Sequence, residues 1–295
     1  TRVRSSAASD VYKRQVSDRT FDDDIARLAR RLTRRSVGLV LSGGGARAFA
    51  HIGVIEELLA AGVVIDRVGG TSMGGFLAAL LALGMDAEQV DAYCYEEWVR
   101  RNPLFDYGLP RHSLLRGARL RAMLERTLPG MIEDLHLSYY CTAVDVVSNQ
   151  PVVQRGGELA VAVAAGMALP GVLPPVASGE RLLFDGAVRD GLPVSVMAAE
   201  GEGPIVACDV TERGLRVRPQ GQAARLPTLM NTLANLAFLT TSDTAEEARR
   251  HADLVVLPDH QSVGALEFHM LDSLREAGRR AAVSALERAP ASMFG

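Results

Sequence analysis

The sequence predicts an α/β fold: a mainly parallel sheet covered by helices on both faces. Three observations carry this. Apolar runs at residues 37–41 and 63–68 each end in a turn of small residues and pass directly into a helical pattern. Beyond them, short apolar strands keep alternating with helices, the order that a parallel sheet with crossover connections requires. Finally, 48% hydrophobic against 23% charged residues in a chain of 295 describe a globular protein able to bury a large core.

The same numbers exclude several function classes. The length allows one or two domains. A net charge of −3 gives no global basic field, so nucleic acid is not an expected partner. Cys94, Cys141 and Cys208 are far apart and lack metal-ligand spacing, which argues against a disulfide framework or a metal site and suits a reducing compartment; no cofactor is expected. No apolar run is long enough to span a bilayer; residues 74–83 come nearest and read better as a buried helix. The first residues lack the apolar segment of a secretory signal. A cytoplasmic location follows, with peripheral contact at the inner face of the membrane as an accompanying option. The chain opens on Thr rather than Met, as would a piece whose regulatory or membrane-anchoring portion lies upstream.

Residues 1–17 are rich in Ser, Ala and Arg without periodicity and read as a disordered leader. Residues 21–34 predict a helix, acidic in its first turn and basic in its last, which suits the helix dipole. Ile25, Leu28, Ala29 and Leu32 share one face of it. Docking on the domain is its expected role, with contact of its arginines to anionic lipid as the alternative. Residues 1–35 thereby precede a catalytic domain at 36–295, with a core at about 37–210 and a helical C-terminal part at about 227–288.

Within that domain a helical pattern at 46–61 follows the first strand, and the second strand feeds an apolar helix at 73–83 closed by Gly84. Asp86 and Gln89 match a capping box for a helix to about residue 100, which Asn102-Pro103 breaks. Residues 101–117 suggest a mobile loop over a pocket, followed by a helix at 118–128. Strands at 139–147 and 151–154 flank a Ser148-Asn149 turn. A short helix at 159–165 gives way to an extended loop through Pro170, Pro174 and Pro175. A strand at 182–184, a helix at 193–199 and a strand at 205–210 follow. Residues 211–226 read as a surface loop. A long helix at 227–252, a strand at 254–257 and a helix at 266–287 complete the chain, and no internal repeat is present.

The chemistry concentrates in two turns one βα unit apart. Gly70-Thr71-Ser72-Met73-Gly74 is G-x-S-x-G, in which small residues let a strand turn sharply into a helix and leave the serine hydroxyl exposed at the helix N-terminus. Gly43, Gly44 and Gly45 let backbone N–H groups converge with no Cβ in the way, an anion cradle. A nucleophile and a cradle are two of the three requirements of ester hydrolysis; the third is a base. The six histidines, His51, His112, His136, His251, His260 and His269, lack a small-residue turn at a strand end. His51 lies inside the first helix, where a packed histidine bonded to backbone is the expected role. Asp185 terminates a strand and is followed by Gly186, with Gly191 and Pro193 beyond, which puts a carboxylate at the carboxyl edge of the sheet where ligands bind in open α/β folds. An isolated Asp-Gly is usually a tight turn. Combined with the two upstream turns, it reads as the partner of Ser72 in a Ser–Asp dyad.

These residues resemble the patatin-like phospholipase family. Gly43-Gly44-Gly45-Ala46-Arg47, Gly70-Thr71-Ser72-Met73-Gly74 and Asp185-Gly186-Ala187 match its signatures in order, supported by Ala50-His51-Ile52-Gly53 and the 171–175 segment. The pattern looks nearest to bacterial relatives of neuropathy target esterase. The resemblance implies a three-layer α/β/α fold and hydrolysis of fatty-acyl esters in phospholipids or lysophospholipids. It assigns Ser72 as nucleophile, Asp185 as its partner, and an oxyanion hole at Gly43, Gly44 and Gly45. Arg47 is counted with that hole, either holding the cradle or a phosphate or making a surface salt bridge; Gly70, Gly74 and Gly186 support the motifs. Upstream regulatory domains of cyclic-nucleotide-binding type are implied as partners and would be absent from this chain. One position departs: the family's glycine-rich motif commonly carries Gly where this chain has Ala48, a change that a helical position tolerates.

Two rivals stand beside this reading. A Ser-His-Asp hydrolase would use Ser72, Asp185 and His251 or His260, in a chain order known for that class. A non-catalytic nucleotide-binding module would use the glycine turn, although the Lys-Ser/Thr of a P-loop is missing and Ala48 interrupts a dinucleotide fingerprint. A catalytically idle scaffold would need a reason, since the chemical groups are all present.

Overall fold

The computed structural model describes residues 18–109, 111–211, 228–239, 242–260, 263–290 and 292–294. The leader expected at 1–17 and nearly all of the loop expected at 211–226 lie outside these residues. In chain order the elements are α1 (Asp18–Leu32), β1 (Val37–Leu41), α2 (Ala50–Ala60), β2 (Ile65–Thr71), α3 (Ser72–Ala82), α4 (Ala87–Cys94), α5 (Ala118–Thr127), β3 (Ser138–Asp145), β4 (Gln150–Gln154), α6 (Leu159–Gly166), β5 (Val176–Ser178), β6 (Arg181–Asp185), α7 (Val194–Ala198), β7 (Ile205–Cys208), α8 (Leu229–Leu239), α9 (Ser242–Arg249), β8 (Leu254–Val256) and α10 (Leu271–Leu286).

Five strands in the order β3-β2-β1-β7-β8 are parallel; β4 and β6 pair antiparallel with β3, and β5 pairs antiparallel with β6. Side-chain alternation explains why both faces are covered. Leu39 and Leu41 of β1 and Val206 and Cys208 of β7 enter one core with residues of α2, α3, α4, α6 and α10. Val40, Tyr140, Ile205 and Ala207 point the other way, into a smaller core with Met197 of α7 and Ala245 of α9. The three-layer α/β/α arrangement is therefore present. α2 and α10 pack backbone to backbone at Gly53 and Gly278, where a Cβ on either would strike the opposite helix. That contact builds the C-terminal helix into the same body as the first strands.

The position of β6 decides where the site forms. β2 and β6 lie end to end along one edge of β3: Thr71 pairs with Thr142 and Asp185 with Ala143, while β4 takes the opposite edge. β6 runs antiparallel to β3, so its last residue arrives where β2 ends. Asp185 thus reaches the carboxyl edge of the parallel strands from the opposite direction.

Several local expectations hold. Asp86 and Gln89 exchange both bonds of the capping box, and α4 continues as a π-helical turn to Arg100. Gly84 closes α3 at φ 90°, and all eleven residues of α3 are buried. Others shift. β5 is an unexpected strand just after Pro174-Pro175, and the single helix expected over 227–252 is two, α8 and α9, on either side of residues 240 and 241, which lie outside the described residues. The helix expected from 266 begins at Leu271 after a 3-10 turn. In the segment expected to be a mobile loop, Tyr107 bridges Leu115, Arg116 N–H donates to the Asp106 carbonyl, and Leu114 and Leu115 N–H donate to the carbonyls of Gly171 and Val172.

α1 docks, but through its charged side. Arg30 forms a two-pronged pair with the buried Asp66 at 2.7 and 2.8 Å, and Arg31 does the same with Glu202 at 2.8 Å. Ile25, Leu28 and Leu32 face outward. No described helix is long and apolar enough to cross a membrane.

Candidate active site

The serine turn is shaped by contact with β1. A Cβ added to Gly70 or to Gly74 would lie 2.5 Å from the carbonyl oxygen of Leu41, so only glycine lets β2 turn into α3 at this distance. Ser72, the first residue of α3, has φ 54°, left-handed backbone that costs a non-glycine residue about 1–3 kcal/mol. Such strain holds a hydroxyl at a helix N-terminus, where N–H groups lack intrahelical acceptors.

The glycine turn leaves β1 at Ser42. Its position is fixed by three bonds of Ser42: N–H to the Cys208 carbonyl (3.0 Å), Oγ accepting Val210 N–H (2.8 Å), and its carbonyl accepting from His51 Nε2 (3.0 Å). Burial holds the His51 pKa down to about 4, so the ring is neutral. Because the Ser42 carbonyl only accepts, Nε2 carries the proton, and Nδ1, 3.0 Å from Cys208 Sγ, is the acceptor of that thiol. The expected backbone-bonding role of His51 is what the structure shows.

Gly43 N–H donates to the Gly191 carbonyl at 2.9 Å. Gly45, at φ 58°, packs so closely on the Ala265 carbonyl that any side chain would collide with it. Among the described residues, nothing accepts from the N–H of Gly44 or Gly45. Arg47 is buried rather than on the surface, and its Nε donates to the Val263 carbonyl at 2.7 Å, tying the turn to the segment before α10. Arg47 is not among the residues that line the cavity shared by Ser72 and Asp185. Ala48 lies within the 3-10 turn Gly45–Phe49, a helical position as expected.

Asp185 is fully buried, and its Oδ1 accepts Ala187 N–H at 2.9 Å. Oδ2 has no hydrogen bond of good geometry, while the Ser72 hydroxyl is near enough to hold the carboxyl pKa down in part. Burial outweighs both effects and raises the pKa to about 7. Gly186 packs against Thr142, where a Cβ would stand 2.5 Å from Oγ1.

The aspartate loop is stitched to both turns. Its Gly191 carbonyl takes the Gly43 N–H, and its Asp190 carbonyl takes the Thr71 hydroxyl at 3.1 Å. Thr71 therefore accepts from Thr142, its cross-strand neighbour, at 2.6 Å. Thr142 was not legible as a site residue, since an isolated threonine in an apolar strand carries no local signal.

Ser72, Asp185 and Gly45 line one cavity enclosing about 480 Å³, part of it open to solvent. Its other walls are apolar, among them Met73, Leu104, Leu120, Met167 and Val172. Trp98 and Phe268, stacked at 5.0 Å, close it from π-helical and C-terminal segments that the motifs did not point to. Neither His251 nor His260 is among the lining residues.

The patatin-like phospholipase family model matches residues 39–198, more than half of the chain. The chain belongs to the patatin-like phospholipase family. Membership classes it with lipid and ester hydrolases. Among its relatives, an uncharacterized NTE family protein of Mycobacterium tuberculosis is 37% identical over 287 residues, covering 91% of this chain and 49% of that protein. Lysophospholipase NTE1 of Pyricularia oryzae is 32% identical over 295 residues, covering 92% of this chain and 20% of that protein. The chain thus spans about half the length of its mycobacterial relatives and a fifth of that fungal one. VipD from Legionella pneumophila shares the fold of this patatin-like chain at a TM-score of 0.51 and 13% identity, over 86% of this chain and 67% of that structure.

Proposed function

We propose that the chain hydrolyses fatty-acyl esters of phospholipids or lysophospholipids through a Ser72–Asp185 dyad and an acyl-enzyme. The observation that carries this is the meeting of a strained serine and a buried carboxylate in one apolar cavity. The cavity suits an acyl chain, and the two polar groups suit its ester. That no histidine lines it supports the dyad over a Ser-His-Asp arrangement.

A carboxylate at its ordinary pKa is a weak base for a serine. Burial answers this: a carboxyl titrating at about 7 is matched to a general base near neutral pH. Ser72 Oγ attacks the ester carbonyl carbon as its proton passes to Asp185. The N–H groups of Gly44 and Gly45 hold the resulting oxyanion; loss of one such donor typically costs about 10²–10³ in rate. Gly43 and Arg47 act indirectly, through the bonds that fix this turn. The intermediate collapses, Asp185 returns the proton to the leaving alcohol, and the acyl group stays on Ser72. Water then attacks the acyl-enzyme by the same proton route and releases the fatty acid.

Residues 36–295 serve as the catalytic domain in this reading, supported by the packing of α10 on α2. The substrate class requires contact with a bilayer or micelle, hence a peripheral membrane protein. Three unpaired, buried cysteines suit the reducing cytoplasm. The test is hydrolysis of a short-chain p-nitrophenyl ester and of lysophosphatidylcholine. Wild type is expected to cleave both, with Ser72→Ala and Asp185→Asn folded and reduced by at least about 10³. An Asp185→Asn variant of near-normal activity would place the base elsewhere.

A further inference from the structure

The stretch from Arg100 to Arg126 holds seven arginines against two carboxylates, Asp106 and Glu125, in a chain whose net charge is −3. Three of the seven, Arg100, Arg101 and Arg126, pair with Glu96 and Glu97, which leaves the positive charge of this stretch on Arg111, Arg116, Arg119 and Arg121. The same stretch exposes three bulky apolar residues in alternation: Phe105 is 64%, Tyr107 61% and Leu109 86% exposed. The two rings pack edge to face at 5.7 Å, so they form one projection. Its base is anchored: Asp106 accepts the N–H groups of Ala118 and Arg119 at the start of α5, and the neighbouring backbone bonds to residues 171 and 172.

The projection sits at the mouth of the cavity. Leu104, the residue before Phe105, lines that cavity, as do Leu120 of α5 and Val172 of the anchoring segment. Among the described residues, Arg111, Arg116, Arg119 and Arg121 form no ion pair with a carboxylate. Exposed aromatic and leucine side chains amid unpaired arginines match an anionic lipid surface, which takes apolar groups below its headgroups and attracts each nearby cation.

We propose that Phe105, Tyr107 and Leu109, together with Arg111, Arg116, Arg119 and Arg121, form the surface by which the chain docks on an anionic bilayer, with the three apolar side chains inserted and the arginines on the headgroups. This deepens the lipid-hydrolase reading by naming the face that would present substrate to Ser72. The outward apolar side of α1 is the competing candidate, and its position disfavours it. α1 is pinned at Asp66 and Glu202, at the amino end of the sheet. Asp66 and Ser72 are six residues apart along β2, roughly 20 Å at strand spacing. A membrane against α1 would lie across the molecule from the cavity.

The test is co-sedimentation with vesicles of phosphatidylcholine containing phosphatidylglycerol, and with vesicles of phosphatidylcholine alone. Wild type should bind the anionic vesicles more tightly, and less so as salt rises. The triple variant Phe105→Ser/Tyr107→Ser/Leu109→Ser should lose at least about tenfold in binding. Arg111→Glu/Arg119→Glu should lose the preference for anionic vesicles. Ile25→Ser/Leu28→Ser/Leu32→Ser should bind like wild type. Turnover of a soluble p-nitrophenyl ester, measured on the same proteins, should be unchanged in all three variants and shows that they fold. Wild type that binds neither vesicle, or a 105/107/109 variant that binds as wild type does, overturns the docking surface. Failure of wild type on the soluble ester overturns the hydrolase reading alone, because vesicle binding needs no turnover.

Discussion

Asp185 carries two opposed demands, and its pKa of about 7 expresses both. As a base it must be ionised, so turnover of a soluble ester should rise with pH through about 7 and level off above it. As a buried group it resists ionisation. Between its ordinary value of 3.8 and about 7, the folded chain keeps a proton that the unfolded chain has released, so this carboxyl lowers stability as pH rises across that window. The stability gain of Asp185→Asn should therefore be small near pH 4, grow with pH, and stay constant above about pH 7, at no more than about 4 kcal/mol. His51 acts in the opposite sense. Its folded pKa of about 4 lies below the usual 6.5, so its contribution is present above pH 6.5 and is lost as pH falls toward 4. Melting temperatures of wild type and Asp185→Asn across pH 4–8 check the prediction; a difference independent of pH would contradict it.

At the scale of elements, the site depends on how closely β1, the serine turn and α3 approach. Gly74 and Gly75 are adjacent glycines with unequal roles. A Cβ on Gly74 meets the backbone of residues 41 and 42, which cannot move without displacing β1, whereas one on Gly75 lies 3.1 Å from the Gly70 carbonyl oxygen and 3.2 Å from Cys141 Cβ. Alanine gains about 1 kcal/mol of helix propensity over glycine, enough to offset the mild crowding at Gly75 but not the collision at Gly74. Gly74→Ala should destabilise by about 3 kcal/mol or more and Gly75→Ala by less than about 1 in urea denaturation. The elements legible in the sequence were those with a local cause. β1 and α3 stood out as apolar runs ended by glycines, and α4 through its capping box. β5 was hidden because three residues after a Pro-Pro pair carry no period. The antiparallel course of β6 was hidden as well, since pairing of Ala143 with Asp185 is set by register across the sheet. For the same reason Ser72 and Asp185 were legible from their turns, while Thr142 and the Val263 partner of Arg47 were not.

The whole molecule separates its two ends. The carboxyl edge of the sheet holds the dyad and the cavity, and the amino edge holds α1 through Asp66 and Glu202. Asp66 is buried and Arg30 partly exposed, so their pair should contribute between a surface and a buried ion pair, about 1–3 kcal/mol. Asp66→Ala should release α1, seen as lost hydrogen-exchange protection over residues 22–32, while turnover of a soluble ester stays at the wild-type level. Lost turnover would show that the two ends are coupled. The central claim, that Asp185 activates Ser72, is tested most directly by covalent capture with a fluorophosphonate, with the modified residue located by peptide mass spectrometry. Wild type should be labelled at Ser72, and Asp185→Asn should be labelled there more slowly by about 10²–10⁴. Labelling of Asp185→Asn at the wild-type rate would contradict the dyad.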